Sequence, residues 1–405
     1  MNISENNYPK HWELNRIRDI FEIIKEKGSE CTVPYLEIGD VDIHKKKYLL
    51  KNKVSVKGCK VSKKGDILIS RVRPTRGAIV EINEKTILVS SAFTVLRNKG
   101  KFVQSFPFYF LAYNNKFLKY LGDNCTGSLY PTVSENLLSD YIIPLPPLHE
   151  QQAIVSEIEK LLSELENGKQ QLQIAQQQLK VYRQSLLKWA FEGKLTNKKV
   201  KEGELPERWK WVKLGEVCHN VEYGSATKSK KVGKVPVLRM GNIQNGKFEW
   251  EDLVYTDDKE EIEKYILKKG DVLFNRTNSA EWVGKTAQYK GERPAIFAGY
   301  LIRINRIETI IDSTFLTYYL NTHAAKQFGN SVKSFGVNQS NINGTKLKTY
   351  PMPLPPLKEQ HQIVNELESK LTVCDNIEGT ISKSLQQVET LRQSILKKAF
   401  EGELI

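Results

Sequence analysis

The chain has 405 residues, of which 40% are hydrophobic, and a net charge of +14. This length favours two or three domains, and no run of 18 apolar residues or amino-terminal secretion signal is visible, so we expect neither a membrane span nor export. The five cysteines are odd in number and never spaced C-x-x-C, which favours a reducing cytoplasm and argues against a zinc site.

Residues 1–143 are predicted to form a first globular domain of the α+β class. Strand-like runs occur at 67–70, 78–82 and 86–91, and residues 108–121 form a helix candidate. The segment carries 23 Lys and Arg against 15 Asp and Glu, a surplus of +8. A basic domain favours a polyanionic partner, although ordinary solubility charge would give the same count.

Residues 144–203 are predicted to form a helical spacer. Apolar residues recur at steps of three and four, which is the pattern of a coiled-coil seam, and a helix over 149–190 would be about 60 Å long at 1.5 Å per residue. A proline-rich segment precedes the helix and Gly193 follows it, as start and stop signals require. The predicted seam of this first spacer comprises Ile154, Ile158, Leu161, Leu165, Leu172, Leu179 and Leu186.

Residues 204–352 and 353–405 repeat this organisation. The first of these segments is a second α+β domain with 23 basic and 17 acidic residues, and the second is another helical spacer ending before Gly402. Its predicted seam comprises Ile363, Leu367, Ile377, Ile381, Val388, Leu391 and Ile395.

The two spacers are copies of one sequence. Residues 144–195 align without a gap on 353–404 at an offset of 209, with 25 identical positions, and include PLPPL-x-EQ and AFEG-x-L in both copies. Weaker matches, such as 65–71 with 270–276, extend the repeat through the domains. Two similar apolar helices most simply pair around a pseudo-two-fold axis, which predicts an antiparallel coiled coil. The alternative is that each helix packs on its own domain.

Basic and amide residues cluster at predicted turns of both domains. Arginine can recognise guanine and Asn or Gln can recognise adenine through paired hydrogen bonds, whereas lysine mostly neutralises phosphates. Solvated surface charge is the alternative for each of them, and the aligned Arg71 and Arg276 could instead be structural. The candidate DNA-contacting residues are Lys45, Lys46, Lys47, Arg71, Arg73, Arg76, Lys228, Lys230, Lys231, Asn275, Arg276, Asn278, Asn338, Gln339 and Asn341.

No motif for catalysis is evident in the sequence. A glycine-rich cofactor loop, an N/D-P-P-aromatic segment and an H-E-x-x-H metal motif are all missing, and Gly284-Lys285-Thr286 lacks the upstream glycine of a phosphate loop. We therefore expect no catalytic residue, metal site or cofactor in this chain.

The paired PLPPL-x-EQ and AFEG-x-L segments, together with residues 204–217 and 270–287, resemble the specificity subunit of type I restriction–modification systems. The resemblance covers nearly the whole chain. It implies two target-recognition domains that each read half of a split DNA site, and an antiparallel helical spacer. It also implies two docked methyltransferase subunits and outer restriction–translocase subunits, with S-adenosylmethionine, ATP and magnesium bound only by those partners.

Two other classes of function remain open at this point. One is a self-sufficient enzyme with an unrecognised site, and the other is a self-standing coiled-coil DNA-binding regulator without methyltransferase partners. Co-purification of a methyltransferase would distinguish the specificity subunit from the regulator.

Overall fold

The computed structural model describes residues 8–28, 34–52, 58–100, 102–103, 105–197, 199–201, 203–279, 281–335 and 340–405. Two long helices, α5 (Leu148–Phe191) and α10 (Leu357–Glu401), follow the two predicted domains. The chain divides into two compact units, Met1–Leu172 with Lys383–Ile405, and Gln173–Ser382. Each unit therefore contains one α+β domain and a part of each long helix. No helix in the described part of the chain is long and apolar enough to cross a membrane.

The first unit is built from short strands and four short helices in addition to its parts of α5 and α10. The helices are α1 (Ile17–Ile20), α2 (Ser105–Tyr113), α3 (Asn115–Asp123) and α4 (Glu135–Asp140). The strands are β1 (Glu13–Arg16), β2 (Phe21–Ile23), β3 (Pro34–Leu36), β4 (Val41–Asp42), β5 (Lys47–Tyr48), β6 (Lys51–Asn52), β7 (Lys60–Lys63), β8 (Ile67–Ser70), β9 (Ile79–Glu81), β10 (Thr86–Val89), β11 (Phe93–Asn98) and β12 (Ile142–Leu145).

Two four-stranded sheets organise this unit, with strand orders β2-β11-β8-β9 and β6-β3-β10-β7. All four residues of β8 are buried. Because successive side chains point to opposite faces of a strand, both faces of β8 are therefore covered. Ile67 and Ile69 pack with the helices, whereas Leu68 belongs to a second core beside Val80 and Val95. The first sheet thus lies between a helical layer and an apolar core, as the continuous hydrophobic run at 67–70 predicts.

The second unit repeats this plan. Its short helices are α6 (Lys259–Tyr265), α7 (Ser313–Leu320), α8 (His323–Val332) and α9 (Gly344–Lys348). Its strands are β13 (Lys210–Lys213), β14 (Cys218–Tyr223), β15 (Val235–Leu238), β16 (Ile243–Gln244), β17 (Lys247–Phe248), β18 (Val254–Thr256), β19 (Val272–Asn275), β20 (Thr277–Asn278), β21 (Thr286–Gln288), β22 (Ile296–Phe297), β23 (Leu301–Arg306), β24 (Ser334–Phe335), β25 (Ser340–Asn341) and β26 (Pro351–Leu354). The sheet β14-β23-β19-β21 matches β2-β11-β8-β9 of the first unit.

The helix candidate at 108–121 is in fact two consecutive helices, α2 and α3, and the second domain has the corresponding pair α7 and α8. A capping residue separates them in both cases. The Asn114 side chain accepts a hydrogen bond from Lys116 N at 2.9 Å, and the Thr322 hydroxyl accepts one from Ala325 N at 3.2 Å. Such side chains pair with the free amides at a helix start. The apolar pattern in the sequence therefore continues across the break, although the helix itself is interrupted there.

The PLPPL-x-EQ motif joins each domain to its long helix. The proline-rich part forms β12 or β26, which pairs antiparallel with β1 or β13. The glutamine is buried at the helix start. Gln151 accepts a hydrogen bond from Val103 N at 2.9 Å, and Gln360 accepts one from Asp312 N at 2.8 Å. The motif is therefore a structural element that fixes the direction of the helix relative to the domain in the same unit.

The AFEG motif ends each long helix against the domain of its own unit. In the first unit, Phe400 packs on Phe110 with ring centroids 5.2 Å apart. Gly402 has φ +74°, and a Cβ there would lie 2.3 Å from Pro9 Cγ. In the second unit, Gly193 has φ +76° and meets Pro206 at the same distance. The end of α10 is thus beside the start of the first domain, as the pseudo-two-fold repeat requires.

The long helices pack against each other in opposite chain directions, which confirms the predicted antiparallel coiled coil. In the first unit, Ile154 and Ile158 near the start of α5 share a core with Leu396 near the end of α10. In the second unit, Leu179 and Leu186 near the end of α5 share a core with residues near the start of α10, including Ile363, Leu367 and Cys374.

Part of the predicted seam of α10 is wrong by one residue. Ile377 and Leu391 are 45% and 51% exposed. The adjacent Glu378 and Arg392 are the less exposed residues of each pair. Tyr182 and Trp189, which fit the same pattern in α5, are also exposed. The buried or half-buried seam residues are Ile154, Ile158, Leu161, Leu165, Leu172, Leu179, Leu186, Ile363, Leu367, Ile381, Val388 and Ile395.

Candidate nucleic-acid interface

Each domain presents an arginine over an exposed tyrosine ring. In the first domain, the Arg73 guanidinium lies 5.1 Å from the ring centroid of Tyr130, which is 64% exposed. In the second domain, Arg276 lies 4.9 Å from the ring of Tyr223, which is 42% exposed. Arginine–aromatic platforms of this kind provide both cationic and stacking surfaces for nucleic acid.

Arg71 and Arg276 occupy equivalent places directly after β8 and β19. The Arg71 guanidinium donates to Ser91 O at 2.7 Å, and that of Arg276 donates to Gly299 O at 3.4 Å. Both side chains are half-buried. In each domain the arginine therefore ties the end of one strand to the loop before the next, which supports a structural contribution at these two positions.

The remaining candidates of the first domain lie around residues 42–47 and 73–77. Lys45 and Lys47 are exposed, and so is Arg76. Lys46 differs from its neighbours because it is half-buried and its ammonium donates to Gly77 O at 2.6 Å. The structure thus brings Lys46 close to the turn that contains Arg76, although about 30 residues separate them in sequence.

The second domain contains a cavity of about 520 Å³ with mixed aromatic and polar walls. Trp282 is 50% exposed, and the Lys285 ammonium lies 4.1 Å from its ring centroid and donates to Gln244 at 2.7 Å. Burial lowers the pKa of Lys285. The Arg239 guanidinium donates to the Asp252 carbonyl at 2.8 Å. The cavity is lined by Arg239, Met240, Gly241, Gln244, Asp252, Asn278, Trp282, Lys285 and Tyr300.

The candidates in the second domain fall into separate groups. Asn278 lines the cavity, and the neighbouring Asn341 donates to Thr277 at 2.9 Å across β20 and β25. Lys228, Lys230 and Lys231 are exposed on the segment before β15. Asn275 is fully buried and its amide donates to Trp282 O at 3.4 Å, so its side chain is not available to a base edge. Asn338 and Gln339 lie outside the described residues.

Several cavity residues were not predicted from sequence. Trp282, Lys285 and Tyr300 belong to one region of the chain, but Arg239 and Gln244 come from a separate segment and reach the cavity only through folding. The signal that sequence reasoning could have used to find them is the placement of aromatic residues beside basic ones. Tyr130 and Tyr223 carry the same signal, but tyrosines near glycines, here Gly127 and Gly224, are by default turn residues.

Two repeated α+β domains with basic and aromatic loop surfaces, each joined to an antiparallel helix pair, define a modular nucleic-acid-binding class of protein. The family model for the type I restriction modification DNA specificity domain matches residues 9–176 and 206–387. The chain belongs to this family.

Individual relatives agree with this assignment. The chain is 35% identical over 210 residues to a Methanocaldococcus jannaschii protein described as the MjaX specificity subunit, a match that covers 50% of this chain and 48% of the relative. The MjaVIII specificity subunit of the same organism is 28% identical over 98% of this chain and 93% of its own length. The crystal structure of an HsdS subunit from Thermoanaerobacter tengcongensis has the same fold, with a TM-score of 0.72, 22% identity and 100% coverage of both chains.

Proposed function

We propose that this chain is the DNA sequence-specificity subunit of a type I restriction–modification complex. Each globular domain reads one half of a bipartite DNA site, and the helix pair sets the spacing between the halves. The observation that carries the proposal is the duplication itself, in which two domains share one scaffold while their loops differ, and each domain carries an Arg–Tyr pair at its own position. Family membership favours this function over a self-standing regulator.

The partners follow from the same proposal. Two methyltransferase subunits dock on the helix pair, because its two related halves offer two related surfaces. Restriction–translocase subunits bind outside them. S-adenosylmethionine, ATP and magnesium belong to those subunits, and this chain positions the complex on DNA without catalysing a step. Purified chain supplied with all three should therefore neither methylate nor cleave DNA, and turnover in its pure form would contradict this part of the proposal.

The modular reading of DNA can be tested by domain exchange. Replacing residues 1–143 with the matching segment of a relative should change one half of the methylated site and leave the other half and the spacing unchanged. Replacing residues 204–352 should change the other half. Methylome sequencing of cells that carry the complete system gives the result directly. A change in both halves after either single exchange would refute independent reading.

A finer test separates base reading from phosphate contact in the second domain. Asn278→Ala removes an amide from the wall of the cavity and should relax the preference at one base pair, at a cost of about 1–3 kcal/mol. Lys228→Ala removes an exposed charge and should weaken binding similarly for all sequences while reducing the salt dependence. Binding to a panel of single-base variants of the site distinguishes these outcomes. Equal effects of Asn278→Ala on all sequences would exclude Asn278 as a base reader.

A further inference from the structure

The first unit contains a second cavity of about 480 Å³, between loops of its domain and the end of α10. Its charged lining is unbalanced, because five cationic residues face two carboxylates. Those charged residues are Lys46, Arg76, Lys116, Arg392, Lys397, Glu389 and Glu401.

Two of the cations converge on one aromatic ring. The Lys46 ammonium lies 5.6 Å from the ring centroid of Tyr113, and the Arg392 guanidinium lies 6.0 Å from it. Burial and, to a smaller extent, the charge of Arg392 lower the pKa of Lys46 to about 8. Among the ion pairs between described residues, none includes Lys46 or Arg392. Their mutual repulsion is therefore uncompensated by a protein carboxylate in direct contact.

The repeat provides an internal comparison. Arg183 is the counterpart of Arg392 at the offset of 209, and in the second unit it pairs with Asp375 at 2.7 Å and Glu378 at 2.9 Å. The positions related to these two acids by the repeat are Glu166 and Lys169. One acid of the pair is thus replaced by a base, and Arg392 instead faces Lys46. Arg183 thus has two acidic partners in the second unit, whereas its counterpart Arg392 lies close to a lysine in the first.

A helix start adds to the positive potential of this cavity. Asn114, Asn115 and Lys116 line it at the beginning of α3, a helix of nine residues. Asn114 already accepts a hydrogen bond from Lys116 N at 2.9 Å, so α3 contributes the partial positive charge of its dipole rather than a set of free amides. Negative groups such as phosphate are stabilised by this dipole charge when cationic side chains lie beside it.

We propose that this cavity is a phosphate-binding site, in which Lys46 and Arg392 hold the anion beside the ring of Tyr113. The phosphate can come from the DNA backbone, in which case the site rests on the function proposed above, or from a free phosphate compound. Both sources share the same recognition chemistry, in which ammonium and guanidinium groups donate charge-assisted hydrogen bonds to phosphate oxygens.

Isothermal titration of the full chain with pyrophosphate, against sodium chloride at matched ionic strength, tests the free-phosphate source. Lys46→Met and Arg392→Gln should each weaken binding by about tenfold or more, as expected for loss of a charge-assisted hydrogen bond. Lys119→Met and Lys398→Gln, which alter exposed cations on α3 and α10 outside the cavity lining, should change it less than about twofold. Arg392→Lys keeps the charge and should retain most of the binding, which separates anion contact from misfolding.

Duplex DNA binding by the same variants tests the backbone source. If the phosphate is that of DNA, Lys46→Met and Arg392→Gln weaken binding to all sequences beyond the control variants, and pyrophosphate competes with the duplex. If it is a free compound, pyrophosphate binds and DNA affinity is unchanged. The proposal is overturned if pyrophosphate shows no binding above the salt control and the site variants bind DNA like the control variants. Sequence-specific DNA recognition could still hold in that case, so the two proposals fail separately.

Discussion

Replacement of Gln360 by leucine should destabilise the second unit strongly. The side chain is fully buried at the start of α10, accepts a hydrogen bond from Asp312 N at 2.8 Å, and donates to Ile310 O at 2.8 Å and Pro355 O at 2.9 Å. Leucine has a similar volume but makes none of these three hydrogen bonds, of which the one to Pro355 O is buried. At about 1 kcal/mol for each hydrogen bond, the free energy of unfolding should fall by about 3 kcal/mol.

Hydrogen exchange measured by mass spectrometry is the suitable assay, because a chain with two units need not unfold in a single step. Peptides covering residues 310–318 should exchange roughly 100-fold faster in Gln360→Leu, the factor that corresponds to about 3 kcal/mol. Peptides covering 105–113 serve as an internal reference, because the equivalent Gln151 is unchanged.

Gln362→Leu provides the matched control, since Gln362 is exposed on the same turn of α10. It should alter stability by less than about 0.5 kcal/mol. If Gln360→Leu and Gln362→Leu gave the same exchange rates, the PLPPL-x-EQ glutamine would not be the connection between domain and helix described above.

Two further predictions concern the long helices. Gly402→Ala should destabilise the first unit by at least about 1–2 kcal/mol, because φ is +74° and Pro9 occupies the position of a Cβ. Gly379→Ala should instead stabilise α10 by up to about 1 kcal/mol, because nothing lies within 4 Å of the added Cβ. Urea denaturation of both variants measures the two free energies of unfolding, and an equal response would contradict this prediction. Leu186→Glu should disrupt helix pairing, and with it the recovery of methyltransferase in a pull-down, because Leu186 is only 1% exposed. Tyr182→Glu should leave the fold intact, because Tyr182 is 43% exposed. Circular dichroism melting curves check the fold, and equal melting temperatures for the two variants would refute the assigned seam.

The helices show where sequence patterns succeed and where they stop. Repetition at an offset of 209 predicts the antiparallel pairing because two matched apolar helices have few other ways to bury their faces. The same pattern misplaces Ile377, because the adjacent Glu378 is held at the helix contact by its ion pair with Arg183 at 2.9 Å. Periodicity of apolar residues carries no information about which charged residue has a partner on another helix.

The candidate interface illustrates a second limit. Local clusters point to Arg73 and Arg276, which are half-buried in the structure and whose guanidinium groups each lie over a tyrosine ring. The same reasoning cannot place Asn275, which is buried, or the contact between Lys285 and Gln244, which are 41 residues apart. Strand pairing and side-chain direction decide these positions, and both depend on residues distant in sequence.

The helix ends have a consequence for how such a chain can be divided. The domain at residues 9–145 is closed by Ala399, Phe400 and Gly402 from the second copy, and the domain of the second copy is closed by Ala190, Phe191 and Gly193 from the first. A half-chain ending near residue 203 lacks residues 399–402, which close its domain in the full chain, but it carries the equivalent residues 190–193. Two half-chains can therefore complete each other as a homodimer, which would be restricted to two identical half-sites. Covalent fusion of the copies removes that restriction, because each domain can then diverge to recognise a different sequence.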